Sequence, residues 1–320
     1  MLQLCTGSKL KGYSDFFADG SAAWPTLRRR LDSIKFFVGN VAGLNDTVAG
    51  GLPQVARFFA SSGIDVDFEA GGLRGFDCDG AHYAASTLKL LAPLLDELAP
   101  AYAKAGVSSA TFHITFDGPF AHSLHQDTKL CPYTWEQAAQ QVKANVDKTN
   151  ELVAARYGDQ LSVRFRWNEP APWYSVGSYP AYHNGTVKDF GDLLQLIDVV
   201  TTAGVGFEAF HVDSPLNYNV APGGYEKLGA LMSHVRASGL TFGKYFNDAH
   251  SGLEGPDAAY ENATVSDATL FVSANGPPDD AIAESWYHYP HTALPEDADG
   301  SMAQTALRLA ATVDSQKPRA

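Results

Sequence analysis

The chain has 320 residues, 45% of them apolar and 18% charged, with a formal net charge of −13. That length holds a large core, and that composition excludes a disordered chain. The acidity, with Arg28-Arg29-Arg30 as the one basic run, argues against a nucleic-acid or anionic-membrane partner. Three cysteines (Cys5, Cys78, Cys131) without a CxxC do not make a disulfide framework or a zinc ribbon, though one disulfide stays open. No apolar run reaches the roughly 18 residues of a membrane helix. The opening MLQLCTGSK does not read as a signal peptide. Sequons at Asn45, Asn184 and Asn262 are short enough to arise by chance.

The elements alternate. Residues 2–6 read as a strand, and 24–31 as a helix with Pro25 suited to its first turn. Residues 33–39 (SIKFFVG) form the next strand. A helix over 52–62 carries Val55, Phe58 and Phe59 on one face and stops at Gly63. Residues 64–70 (IDVDFEA) form a strand ending near Glu69. The helix over 84–104 shows Leu88, Leu91, Leu94, Leu95 and Leu98 at three- and four-residue spacing. The strand 109–116 ends at Asp117-Gly118-Pro119. Thr134 and Gln137 then make a capping-box pattern for a helix reaching Tyr157.

The stretch LSVRFRWNEP (161–170) is central. Leu161, Val163, Phe165 and Trp167 alternate with Ser162, Arg164 and Arg166, and the strand ends in Asn168-Glu169-Pro170. An aromatic-rich loop with Trp173, Tyr174, Tyr179 and Tyr182 leads to a helix over 190–202. A strand over 206–212 ends at Asp213, a helix covers 225–237, and a strand over 240–246 ends at Asn247-Asp248. Residues 257–274 read either as one helix or as a short helix followed by a strand over 269–273. The strand 281–286 ends near Glu284. Ser301 and Gln304 make a second capping-box pattern, opening a helix to Thr312.

Eight strand ends result, at Thr6, Gly39, Glu69, Asp117, Glu169, Asp213, Asp248 and Glu284. Alternating β and α elements imply a parallel sheet, and eight units in this length predict a single-domain (β/α)8 barrel over 1–320. An open doubly wound sheet is the alternative, but no Gly-rich phosphate turn follows an early strand.

In such a barrel the C-terminal strand ends share one face, so Glu69, Asp117, Glu169, Asp213, Asp248 and Glu284 would line one rim. Each acid taken alone also suits a helix cap. Six on one rim raise one another's pKa unless a cation or substrate relieves them. Two chemistries want such a set. One is glycoside hydrolysis by a carboxyl pair, and the other is divalent-metal binding. Trp135, Trp167, Trp173, Tyr174, Trp286, Tyr287 and Tyr289 stand at or near strand ends, where flat rings can stack on sugars.

Asn168-Glu169-Pro170 at a strand end resembles the Asn-Glu-Pro motif of the clan of retaining (β/α)8 glycoside hydrolases that includes β-galactosidases and many cellulases. The resemblance implies Glu169 as acid/base on a fourth strand and Glu284, three strands on, as nucleophile. If residues 2–6 are the first strand, the pair falls on the fifth and eighth strands, which departs from the clan. A second resemblance, to xylose-isomerase-like metal barrels, rests on Glu169, Asp213, the run Asn247-Asp248-Ala249-His250 and Glu284 on four consecutive strands. It implies a divalent ion. Tyr245 stands where that layout has a histidine, with His211 and His250 as substitutes.

Lys244 could form a Schiff base, but a lysine among carboxylates reads better as an ion-pair partner; no GxSxG elbow is present, and Cys5 reads as packing. The expectation is a glycosidase without a cofactor, acting on a carbohydrate. Glu169 is expected as acid/base and Glu284 as nucleophile or base. Asp213 and Asp117 would bond hydroxyls or tune the pair, and Asn168 would bond a hydroxyl beside the reacting carbon. Trp173 and Trp286 are expected as platforms, with Trp167, Glu69, His211, Asp248 and Tyr245 as further substrate contacts. A metal-dependent sugar isomerase, epimerase or lyase, and a barrel that binds glycans without turnover, are the alternatives.

Overall fold

The computed structural model describes residues 1–6, 10–18, 23–73, 78–120, 131–178, 187–285 and 288–315. Eight parallel strands close into a barrel in chain order. They are β1 (Leu2–Thr6), β2 (Ser33–Phe37), β3 (Asp65–Ala70), β4 (Ala110–Asp117), β5 (Leu161–Glu169), β6 (Phe207–Asp213), β7 (Thr241–Phe246) and β8 (Asp280–Ser285). Closure comes from β1 pairing with β8, from Leu2↔Ala281 to Thr6↔Ser285. The (β/α)8 expectation therefore holds, and residues 2–6 are its first strand.

Local signals account for most of the outer helices. Thr134 accepts from the Gln137 N–H, and the Gln137 side chain accepts from the Thr134 N–H, so the capping box forms and opens the helix Trp135–Tyr157. Ser301 caps Met302–Ser315 by accepting from the Gln304 N–H, but the Gln304 side chain reaches back to Gly300 instead of Ser301. The helix Gly80–Lys104 begins at Gly80 because the Asp79 carboxylate accepts from the His82 N–H. A Cβ on Gly80 would meet the Gln141 carbonyl oxygen at 1.8 Å, so the neighbouring helix fits only against glycine.

Residues 257–274 resolve as one helix, Asp257–Asn275, without a strand at 269–273. Tyr260, Thr264, Asp267, Ala268, Phe271 and Val272 are buried at three- and four-residue spacing, and Phe271 packs on Phe242 and Phe246 of β7. Short helices not foreseen, among them Val41–Thr47, Pro172–Ser175, Leu216–Asn219 and Ala249–Glu254, occupy the loops.

The two strand faces differ in chemistry. Outward, residues such as Ile34, Val66, Phe68, Ile114, Phe165, Trp167 and Val212 join the helices in one core. Inward, the barrel is charged. Arg166 of β5 reaches Asp67 of β3 at 3.0 Å, a contact that must cross the interior because those strands are not neighbours. Arg166 also binds Glu208 at 3.0 Å, and Lys35 of β2 donates to the Tyr245 hydroxyl of β7 and lies 3.8 Å from Asp67. Barrel interiors are usually packed with branched apolar side chains. Here each buried charge needs a partner, because an unpaired one costs several kcal/mol. Apolar contact inside is a separate small cluster of Cys5, Tyr245 and Ile282.

A disulfide joins Cys78, after β3, to Cys131, after β4, and leaves Cys5 as the free thiol. No helix among the described residues is long and apolar enough to cross a membrane.

Candidate active site

Side chains alternate along a strand, so the residues sharing the inward face with Lys35, Asp67 and Arg166 can be followed to the C-terminal ends. They are Cys5, Glu69, Asp117, Asn168, Asp213 and Glu284, and Asn247 follows β7 directly. All are buried except Asp117, which is partly exposed.

The Cys5 sulfur, one oxygen of Glu69 and one oxygen of Glu284 lie within 4.8 Å of one another. Asn247 ties the eighth strand to the sixth: its amide N–H group donates to Glu284 Oε2 at 2.6 Å and to Asp213 Oδ1 at 3.3 Å. Asn168 donates to Asp117 Oδ1 at 3.1 Å. The Tyr260 hydroxyl holds the backbone carbonyl of Glu284.

This crowding moves protons. Burial pushes the Glu69 carboxyl well above the usual range, and Asp117 pushes it further. Glu284 is raised by burial, then by Asp213 and Glu69. Asp213 is raised to about 7 by burial and Asp117, against the opposing pull of Lys244, Asn247 and the Trp173 indole. Lys35 beneath lowers both glutamates without cancelling the rise. Cys5 is held as a thiol by burial and the same two glutamates.

The expected site residues divide. Glu69, Asp117, Asn168, Asp213 and Glu284 converge at the mouth, and the Trp173 ring is partly exposed and packs near Tyr218, close enough to Asp213 to oppose the rise of its pKa. Glu169 does not join that face. It pairs in register with the core residue Val212, and its Oε2 accepts the Trp167 indole N–H at 3.1 Å. Trp167 itself is 0% exposed, wedged among Phe120, Phe207 and Phe210, so it has no face to offer a sugar.

His211 lies deep in the barrel against Asp280 at 3.1 Å, where burial lowers its pKa to about 4. A Cβ on Gly243 would come 2.3 Å from that ring, so glycine makes its space. Tyr245 is fully buried on Lys35. Asp248 caps the helix Ala249–Glu254, accepting from Ser251 N at 2.8 Å, and holds the Asn217 N–H at 3.2 Å, which makes it a loop fastener. Trp286 and Tyr287, and the sequon Asn184, lie outside the described residues.

The metal layout implied by the second resemblance is not assembled. His250 sits exposed beside Glu254, His211 is down on Asp280, and Glu169 is on the outer face. A different donor set, Cys5, Glu69 and Glu284, has the compactness for a cation. Lys244 points outward and donates to Asp267 Oδ2 at 2.9 Å and to the Ser214 carbonyl at 2.7 Å.

Two contributors escaped the sequence reading. The sequence reads Cys5 as packing, yet its inward parity on β1 follows once Leu2 and Leu4 occupy the core face. Asn247 stands in the sequence only as part of the run Asn247-Asp248-Ala249-His250, and nothing local distinguishes it.

No protein-family model matches the chain, and no curated protein matches it. Solved structures match in fold. An endo-1,4-beta-xylanase from Penicillium canescens aligns at 10% identity and TM-score 0.51 over 98% of this chain and 94% of its own. An intracellular xylanase from Thermoanaerobacterium saccharolyticum aligns at 8% identity and TM-score 0.51 over 91% of this chain and 89% of its own. A beta-mannanase from Bacteroides ovatus aligns at 10% identity and TM-score 0.51 over 98% of this chain and 89% of its own.

Proposed function

We propose that the protein is a glycoside hydrolase whose carboxyl pair is Glu69 and Glu284. The observation that carries this reading is their approach, an oxygen of each within 4.8 Å in a buried mouth. Retaining glycosidases hold their two carboxyl groups about 5 Å apart. The named xylanases and mannanase of the same fold support the class.

Glu284 is the nucleophile in this reading. The Asn247 amide, donating at 2.6 Å, fixes its oxygen and offsets part of the rise that burial, Asp213 and Glu69 impose on its pKa. Glu69, with its raised pKa, holds a proton for the leaving oxygen and then takes one from water in the second step. Asp213 and Asp117 accept from sugar hydroxyls, Asn168 aligns Asp117, and Trp173 supplies a partly exposed ring at the edge. The acid role passes from Glu169 to Glu69, because Glu69 shares the inward face with Glu284. No cofactor enters the reaction.

The test is a screen of aryl glycosides and oligosaccharides with wild type, Glu284→Ala and Glu69→Gln. Turnover lost in both variants, with azide restoring Glu284→Ala by forming a glycosyl azide, is the expected result. A Glu69→Gln enzyme with wild-type kcat would remove Glu69 from the mechanism.

A second reading has its own observation. Cys5, Glu69 and Glu284 form a three-donor set that suits a divalent ion, as a metal-dependent sugar isomerase or lyase would need. Elemental analysis of the purified protein, with a melt in chelator, separates the two. One stoichiometric ion whose removal lowers the melting temperature favours the metal enzyme.

A further inference from the structure

Two aromatic rings stand on the rim beside the mouth. Trp173 lies on the short helix Pro172–Ser175 after β5, and Tyr218 on the short helix Leu216–Asn219 after β6. Their ring centroids are 5.7 Å apart with planes inclined at 42°, and both residues are partly exposed. Trp167, walled in by Phe120, Phe207 and Phe210, shows what packing alone does to such a ring. The rim pair is continuous with the carboxyl groups. Trp173 lies close to Asp213, and Asn247 links Asp213 to Glu284. A row therefore runs outward from Glu284 across the ends of β7, β6 and β5 to the two rings.

The turn that carries Tyr218 is fastened from several sides. The Asn219 side chain donates to the Ser214 carbonyl at 2.6 Å, accepts from the Ser214 hydroxyl at 2.6 Å and donates to Asp267 at 3.2 Å. Asp267 is paired with Lys244, which also donates to the Ser214 carbonyl at 2.7 Å. These four side chains are fully buried. The Leu216 N–H donates to the Asn247 carbonyl at 3.0 Å, and the Asn217 N–H to Asp248 at 3.2 Å. From the β5 side, the Ser178 N–H donates to the Tyr218 carbonyl at 3.1 Å, and a Cβ on Gly177 would come 2.7 Å from the Tyr218 Cβ. Surface turns are ordinarily the loosest part of a fold. A ring held in place before its ligand arrives spares binding the cost of ordering it.

We propose that Trp173 and Tyr218 form a preformed two-ring platform for successive units of an oligosaccharide, with Tyr218 as a specificity-determining residue. The inference rests on the hydrolase reading and names its substrate class, a sugar chain instead of a small glycoside. Pyranoses with equatorial substituents offer flat C–H faces that stack on aromatic rings. Two rings inclined to each other suit consecutive units, which are turned against one another along a chain.

The experiment measures kcat/KM on xylo-, cello- and manno-oligosaccharides of two to six units with wild type, Tyr218→Ala, Tyr218→Leu and Tyr218→Phe. On the series that wild type cleaves, kcat/KM should rise about tenfold or more with length. Tyr218→Ala should lose most of that rise and Tyr218→Phe should keep it. Tyr218→Leu, which keeps apolar packing without a flat ring, should behave like Tyr218→Ala and serves if the alanine variant does not fold. No rise in wild type, or a full rise in Tyr218→Leu, overturns the proposal and leaves the hydrolase reading standing. An equal fall at every length marks Tyr218 as a packing residue and also overturns it.

Cleavage of no oligosaccharide removes the hydrolase reading instead. Calorimetric titration with the uncleaved six-unit chains then decides the platform. Binding that weakens about tenfold in Tyr218→Leu supports it, and no binding by wild type overturns it.

Discussion

Trp167 and Glu169 stand two residues apart on one face of β5, the indole N–H donating to the carboxylate at 3.1 Å, and that face is the one turned to the helices. The motif Asn168-Glu169-Pro170 thus presents its asparagine, not its glutamate, to the barrel mouth. Glu169→Gln should therefore keep kcat within about tenfold of wild type, while Glu69→Gln should lose about 10²–10⁴-fold, the usual worth of a general acid. The two variants measured on one glycoside decide which glutamate acts. The reverse order would restore the role that the motif resemblance implies.

Asp213 makes a stability prediction with a definite sign. Its carboxyl has an ordinary value of 3.8 and a folded value of about 7. Between those values the folded chain keeps a proton that the unfolded chain has lost. Stability from this group therefore falls as pH rises through that window. Glu69 and Glu284, also raised, act in the same direction. Thermal melts across the window should decline toward neutral pH, and Asp213→Asn should flatten the slope. A slope unchanged in Asp213→Asn would show that this carboxyl does not titrate there.

The Cys78–Cys131 bond spans a sequence separation of 53 and fastens the segments that leave β3 and β4, the strands carrying Glu69 and Asp117. Crosslinking a loop of this size is worth about 2–4 kcal/mol through the unfolded chain. Reduction, or the Cys78→Ser and Cys131→Ser pair, should lower denaturant stability by that order. Thiol labelling of the unfolded, unreduced chain should find Cys5 alone, and labelling at three cysteines would refute the pairing.

Lys244 and Asp267 form an ion pair with both side chains 0% exposed, on the helix side of β7. Removing one partner of such a pair strands the other charge. Lys244→Met should cost about 3–5 kcal/mol in chemical denaturation. Turnover per folded molecule should survive, since Lys244 hydrogen-bonds Asp267 and the Ser214 carbonyl and no mouth carboxyl. A Lys244→Met protein that is fully stable but inactive would return this lysine to the chemistry.

Much of this protein is determined by the sequence alone. Period-2 strands and period-3.6 helices alternating eight times specify the barrel, because each apolar face has one economical partner. The cap at Thr134 is legible because it is a local hydrogen bond, whereas Asp248, expected as a substrate contact, caps Ala249–Glu254 instead. Even the facing of Glu169 was latent. It continues the series Leu161, Val163, Phe165, Trp167, and in a barrel the apolar series turns outward to the helices. Position at a strand end singles out Glu169, whereas parity along the strand decides which way it points.

Tertiary structure decided the rest. The nearness of Glu69 to Glu284, and of both to Cys5, joins strands three, eight and one. It exists only because β1 pairs with β8 in one register and closes the ring. No local propensity encodes that register. Whether a strand-end acid becomes a cap like Asp248, an outer-face acceptor like Glu169 or a member of the mouth like Glu284 depends on what the closed barrel puts opposite it. The same closure buries the mouth carboxyls together, and burial in company, more than residue type, sets their protonation.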